Sequence, residues 1–396
     1  MTGGFLMKVA DRIAALRGEM VREGIDIWIV PSADYHQSEY VGSFFKARQY
    51  MTGFTGSAGT AVFTKDKACL WTDGRYFIQA ENELRGSGIV LCKMGEPECD
   101  TIEAFLEKEL PETGVIGFDG RTIGVGEGKR YEDAASFKKG EVSYQLDLVG
   151  RIWENRPRLP DEKAFALDEK YTGESAASKL ERVRTKMKEC GADVHLLTSL
   201  DDIAWLLNIR GNDVAYCPLV LSYLVLYMDH GELFTDKEKF SSELSEKLAR
   251  DGIVLRPYDE IEKVVSDLSP SLSILLDPDR VNYALYRRLP KNMVVIETEN
   301  PEILMKCIKN DTEIKNIKIA HMKDAAAHTK FMYWLKKNIG KTEITEISAA
   351  EKLEAFRREQ GGYLEASFEP ISAFAEHGAI VHYSASAESN AVLSEG

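Results

Sequence analysis

No stretch of the sequence supplies the ~20 uninterrupted apolar residues that a membrane-spanning helix requires. The most apolar run, residues 218–228, is broken by Ser222 and reads as a buried strand pair. Residues 1–10 lack a basic segment followed by a long apolar one, which argues against a secretory leader. Clustered Lys and Arg are also missing. With a formal net charge of -14, the chain is a poor fit to nucleic-acid phosphates. Its basic pairs, Lys138-Lys139 and Lys336-Lys337, are assigned to solvated faces. The six cysteines form no C-x-x-C pair, so neither a zinc site nor a disulfide framework is indicated. A reducing, cytoplasmic compartment fits that usage. There is no G-x-S-x-G elbow, no H-E-x-x-H and no P-loop.

What is present is an ordinary soluble composition, 44% hydrophobic and 29% charged. The 396 residues imply two or three domains. Val9, Ile13, Leu16 and Met20 recur at helical spacing, and Gly24 stands where a helix would end. Ile25-Asp26-Ile27-Trp28-Ile29-Val30 then reads as a buried strand. The pattern returns further along. Val183, Arg184 and Met187 answer Leu16, Arg17 and Met20. Gly191, Asp193, Val194, Leu197, Ser199 and Asp201 answer Gly24, Asp26, Ile27, Val30, Ser32 and Asp34. Leu70-Trp71-Thr72-Asp73 returns as Leu233-Phe234-Thr235-Asp236, and Gly88-Ile89-Val90-Leu91 as Gly252-Ile253-Val254-Leu255. Ordered matches of this kind point to two tandem copies of one α/β domain. Residues 1–150 form the first and 171–299 the second, joined by a charged, proline-containing linker at 151–170.

Beyond Asn300-Pro301 the texture changes, and residues 301–396 form a third region. A single long helix is expected over 302–338. Thr345 opens another, with Ser348-x-x-Glu351 resembling a capping box, and it ends before Gly361-Gly362. Short strands are expected at 371–374 and 379–383.

Thr52-Gly53-Phe54-Thr55-Gly56-Ser57-Ala58-Gly59 is either an anion-cradling loop or a tight connection into a strand at 60–64, and the pattern favours the connection. Asp73 can cap a following helix, and Arg75 can pair with a carboxylate of the protein or of a ligand. His382 is either a satisfied core histidine or a proton donor in a cleft. His321 and His328 share a helix face without metal-ligand spacing, and His377 is expected to be exposed.

Residues 52–59, 71–84, 197–219, 310–335 and 368–383 together resemble the three-domain Xaa-Pro aminopeptidases (aminopeptidase P), in the family's order and across the whole chain. The resemblance implies an α/β architecture. Two tandem creatinase-like N-terminal domains, each a mixed sheet flanked by helices, precede an incomplete α+β pita-bread domain. It also implies hydrolysis of the bond between an N-terminal residue and a following proline, whose nitrogen carries no hydrogen. Two divalent metal ions, typically Mn²⁺, would lower the pKa of a bridging water and polarise the carbonyl. The parent protein is expected to be a cytoplasmic homodimer acting on peptides with proline second, with no membrane or nucleic-acid partner. His382 matches a substrate-site histidine, and Arg75 matches an arginine that helps bind peptide.

The family's metal ligands, two Asp, one His and two Glu, lie after the segment matching Ile380-Val381-His382-Tyr383. None can be assigned here, so no metal is expected within this chain, and the 396 residues alone are expected to be inactive. Half a pita-bread sheet leaves edges and an apolar face uncovered, so the third region is expected to be the least ordered, or covered by a neighbouring molecule. A prolidase-like dipeptidase and a non-catalytic peptide-binding module are the alternative readings.

Overall fold

Ile13, Leu16 and Met20 lie on the buried face of helix α1 (Val9–Glu23). The helix stops at Gly24, whose φ of 70° is left-handed and suits a residue without a Cβ. Ile25 N–H reaches back to the Met20 carbonyl, satisfying an end that would otherwise be orphaned. The structure, a computed structural model, describes residues 7–395.

The chain then builds a six-stranded sheet from β1 (Ile27–Pro31), β2 (Thr60–Thr64), β3 (Ala68–Thr72), β4 (Val90–Lys93), β5 (Val115–Phe118) and β6 (Glu141–Ser143). Its order is β4-β3-β2-β1-β5-β6. The central β1-β2-β3 meander is antiparallel, and β4, β5 and β6 join by parallel pairing. Both faces are covered, so β1 and β3 are buried along their length and read as continuous apolar runs.

The second copy repeats this plan. Helix α2 (Ala176–Cys190) ends at Gly191, φ 75°, and Ala192 N–H returns to the Met187 carbonyl. Strands β7 (Val194–Leu197), β8 (Tyr223–Tyr227), β9 (Gly231–Phe234), β10 (Ile253–Arg256), β11 (Ser273–Leu276) and β12 (Val294–Glu297) follow. Their order, β10-β9-β8-β7-β11-β12, is the first sheet over again. The paired residues of the repeat have structural work. Arg17 Nε donates to the Thr64 carbonyl at the end of β2 (2.9 Å), and Arg184 Nε to the Tyr227 carbonyl at the end of β8 (3.0 Å). Asp26 accepts from Val115 N–H (2.9 Å), and Asp193 from Ser273 N–H (2.9 Å). Each aspartate pins the start of a parallel neighbour strand.

The copies meet along a reciprocal seam. Val125 N–H donates to the Val281 carbonyl and Tyr283 N–H to that of Ile123. Gly126 N–H donates to the Pro278 carbonyl and Ala284 N–H to that of Gly120. Equivalent segments exchanging equivalent bonds are what a two-fold, self-complementary contact requires. Gly128 is obligatory there, because a Cβ would sit 2.1 Å from the buried Tyr283 ring. His36 crosses the same seam. Its Nδ1 contacts the Thr198 carbonyl (2.9 Å), and its Nε2 contacts the Tyr258 hydroxyl (2.7 Å). The carbonyl can only accept, so Nδ1 carries the hydrogen and the tyrosine donates to Nε2. Burial pushes the His36 pKa down, which favours this neutral form.

The expected strand pair over 218–228 is one strand, β8. Its first half is coil, and Leu221 N–H is taken by Asp213. Helix α3 (Pro301–Cys307) docks on the second domain. Asn300 bonds Asp202 (3.0 Å), Lys306 bonds Asp202 (2.7 Å), and Glu302 meets His195 (3.2 Å), both fully buried.

Two compact units divide the described chain, and the second comprises 167–174, 215–217 and residues from 308 onward. The single helix expected over 302–338 is two helices. Asn310 caps α4 (Asp311–Asn338) in a reciprocal box with Glu313, and this restarts the helix after α3. Helix α5 (Glu346–Arg358) opens at Thr345 as expected, but the capping box pairs Thr345 with Ser348 and not Ser348 with Glu351. The strands expected at 371–374 and 379–383 do not form. Residues 371–374 are extended coil, Ala375–Ala379 is a 3₁₀ turn, and the only bridge there among the described residues joins Thr345 to Val392. Strand propensity needs a neighbour to hydrogen-bond, and the described residues set none beside these segments. Apolar packing in this unit is sparse. Ala327, Ile344, Ala349 and Tyr383 are buried, but Met322, Tyr333, Leu364, Phe368 and Ile371 are exposed.

Candidate substrate-side site

Strand β3 delivers Arg75 at its exit. Asp73 does not cap the next helix (Phe77–Glu83), which begins after Tyr76. It instead turns back on Arg75, accepting from its N–H (3.1 Å), Nε (2.8 Å) and Nη2 (2.8 Å). This planar fork fixes the guanidinium while leaving the side chain 49% exposed. Contact with the Asp73 carboxylate raises the Arg75 pKa further. The Arg75 guanidinium lies 5.2 Å from the centre of the Tyr76 ring.

The glycine-rich segment supports this turn from behind. Ser57 Oγ and the Tyr76 hydroxyl share a hydrogen bond of 2.6 Å. A Cβ on Gly56 would lie 2.3 Å from Phe54 and 2.7 Å from Tyr76. The loop's carbonyls at Phe54 and Gly56 are held by the buried Arg48, whose Nε also reaches Ser32 (2.9 Å). Burial pulls the Arg48 pKa down to about 10. A loop whose carbonyls face a buried arginine is a structural connection, as the pattern favoured.

In the second unit His382 is exposed, in a turn after the 3₁₀ segment Ala375–Ala379. The buried centre beside it is Glu346, at the start of α5. Its carboxylate accepts from Phe374 N–H (2.6 Å), His377 Nδ1 (2.8 Å), the Tyr383 hydroxyl (2.7 Å) and Ala391 N–H (3.0 Å). Burial alone would raise the Glu346 pKa. The donors from Ala391, His377, Phe374 and Tyr383 outweigh it and bring the pKa down to about 2. His377 is therefore half-buried, not exposed, and stacks on Tyr383 with ring centres 4.5 Å apart. Sequence reasoning passed over Glu346. Its one signal was its place just after the cap Thr345, where a carboxylate suits the helix dipole. His321 and His328 are exposed on α4.

The described residues do not fit a dinuclear metal centre. Among the described residues no three His, Cys, Asp or Glu side chains cluster so as to hold a metal ion. The Glu346 carboxylate beside His377 is already filled by the donors above. Among the described residues no helix is long and apolar enough to cross a membrane.

Comparison with known proteins agrees with the architecture. The Creatinase/Prolidase N-terminal domain family matches twice, at residues 12–146 and 155–313. Metallopeptidase family M24, the pita-bread peptidases, matches residues 315–396. The chain is 36% identical to aminopeptidase P2 of Arabidopsis thaliana, over 92% of this chain and 56% of that protein. It is 35% identical to Xaa-Pro aminopeptidase 1 of Dictyostelium discoideum, over 98% of this chain and 64% of that protein. With aminopeptidase P1 of Lotus japonicus the identity is 34%, over 97% of this chain and 68% of the relative. The crystal structure of the X-prolyl aminopeptidase of Caenorhabditis elegans, described as a cytosolic enzyme with a di-nuclear active site, superposes with a TM-score of 0.93 at 32% identity. It is covered over 66% of its length, and this chain over 98%. The chain thus spans 56% and 64% of the Arabidopsis and Dictyostelium proteins. With both N-terminal domains and the M24 segment in order, and with these identities along nearly its whole length, the chain belongs to the Xaa-Pro aminopeptidase (aminopeptidase P) family of M24 metallopeptidases.

Proposed function

We propose that these 396 residues are the substrate-side scaffold of a Xaa-Pro aminopeptidase, acting on peptides with proline in second position. The observation that carries the reading is the ordered match of duplicated N-terminal domains and M24 segment to aminopeptidases of that specificity. Arg75 is the peptide-binding group of the first domain. Its fork with Asp73 holds a cation at the surface with little rotational freedom left to lose on binding. His382 is the substrate-site histidine of the M24 segment. The aminopeptidase that such a scaffold serves is a cytoplasmic homodimer that uses two Mn²⁺ ions, and such a pair would supply an activated water to the scissile carbonyl.

The scaffold alone is inactive. Purified chain incubated with Mn²⁺ and a peptide bearing proline second should release no N-terminal residue. Robust manganese-dependent release would overturn the reading. Peptide binding measured by calorimetry should weaken roughly tenfold in Arg75→Ala, the scale of one hydrogen bond to a charged group. Unchanged affinity would remove Arg75 from the site.

A further inference from the structure

Beyond the peptide site, three cysteines converge on one face of the first sheet, and no part of the peptidase reading uses them. Cys69 is on β3 and Cys92 on β4, which pair in parallel with Cys69 opposite Val90 and Trp71 opposite Cys92. Side chains alternate across a strand. Cys69, Trp71 and Cys92 accordingly pack into one apolar cluster, whereas Leu70 and Leu91 pack into the other. Cys99 closes over the same cluster from the turn after β4. Cys69 is buried, and Cys92 and Cys99 are partly accessible.

We propose that Cys69 and Cys92 form an oxidisable dithiol that hydrogen peroxide converts to a disulfide. The thiolate of one cysteine attacks peroxide, giving a sulfenic acid and hydroxide. The sulfur of the other then displaces water from that sulfenic acid. Two thiols and one peroxide thus become one disulfide and two waters. Contact between the two thiols favours the thiolate on one member of the pair, and the other is the resolving thiol. Diagonal positions on neighbouring strands must draw closer for the two sulfurs to reach disulfide spacing. β4 can move, because it is the edge strand of the sheet. The bond would tether that edge to β3, the strand that carries the Asp73–Arg75 turn.

The test is peptide mapping of the 396-residue chain, reduced, exposed to hydrogen peroxide, thiol-blocked and digested without reductant. The expected result is a dithiothreitol-sensitive peptide joining Cys69 to Cys92, with loss of the two free-thiol peptides. The exposed Cys190 and Cys307 serve as reference thiols in the same sample. In Cys92→Ser and in Cys69→Ser the cross-link should vanish, and in one of the two dimedone should trap a sulfenic acid at the remaining thiol. In Cys99→Ser the cross-link should persist, which decides the matter if those variants fail to fold. A cross-link that forms only after unfolding in urea would overturn the proposal. So would one joining Cys92 to Cys99, or oxidation confined to Cys190 and Cys307.

Discussion

At the scale of single residues, Glu346 shows how one buried carboxylate can organise a segment that lacks its own secondary structure. Its four donors come from residues 374, 377, 383 and 391, so one side chain gathers most of the C-terminal coil. The linkage sign follows from a pKa held at about 2 against an ordinary 4.5. The contribution is complete above the ordinary value and is lost as pH falls from about 4.5 towards 2. Glu346→Gln keeps the shape but not the charge. It should cost roughly 2 kcal/mol at neutral pH, since hydrogen bonds to a charged acceptor are the stronger kind. It should also remove the acid-sensitive step. Proteolysis of residues 371–391 in wild type and variant, followed between about pH 5 and 2, reads both effects. Equal acid sensitivity in the two proteins would refute the assignment.

At the scale of elements, the same helix ending is used twice. Gly24 and Gly191 have φ of 70° and 75°, and neither has an atom within 4 Å of the place a Cβ would take, so space is not the constraint. The constraint is the backbone. An L-residue in that conformation costs about 1–2 kcal/mol. Gly24→Ala and Gly191→Ala should therefore each lower stability by that amount in chemical denaturation. A much larger loss would mean that packing, not conformation, selects glycine. These endings were legible because a helix stop is local chemistry. The strands expected at 371–374 and 379–383 failed for the opposite reason. A strand is completed by its neighbour, and apolar alternation in a short segment cannot say whether a neighbour is there. The expected long helix is likewise broken at 308–310, where Asn310 and Glu313 restart it through a side-chain box that overall helical texture conceals.

At the scale of the whole molecule, the seam between the two copies is sensitive to pH through His36. Its neighbours are Asp34 on its own loop, Thr198, Tyr223 and Tyr258 of the second copy, and Lys239. Burial lowers its pKa, so the unfolded chain takes up a proton that the folded chain resists. Stability from this group is full above about pH 6.5 and declines as pH falls below it. His195 acts in the other direction. Burial opposes its charge, but Glu302 more than compensates, and its pKa is raised. Variants are therefore needed to separate the two. Urea midpoints between about pH 7.5 and 5.5 should fall less steeply for His36→Gln than for wild type. Parallel slopes would exclude the seam histidine as the titrating group.

The sequence by itself determined the duplication, because each matched pair has a local reason to recur. Arg17 and Arg184 hold the ends of equivalent strands, Asp26 and Asp193 hold the starts of others, and Gly24 and Gly191 end equivalent helices. Arg75 and His382 were legible only through family resemblance, since a lone arginine or histidine carries no chemistry in its spacing. Tertiary structure alone decided the rest. It placed Asp73 on Arg75, made Arg48 the support of the glycine-rich loop, set Cys69 and Cys92 on one face of the sheet and gathered four donors on Glu346. The reason is physical. Helix ends and strand runs are written in adjacent residues, whereas burial, charge pairing and thiol contact depend on which distant residues the fold brings within a few ångströms.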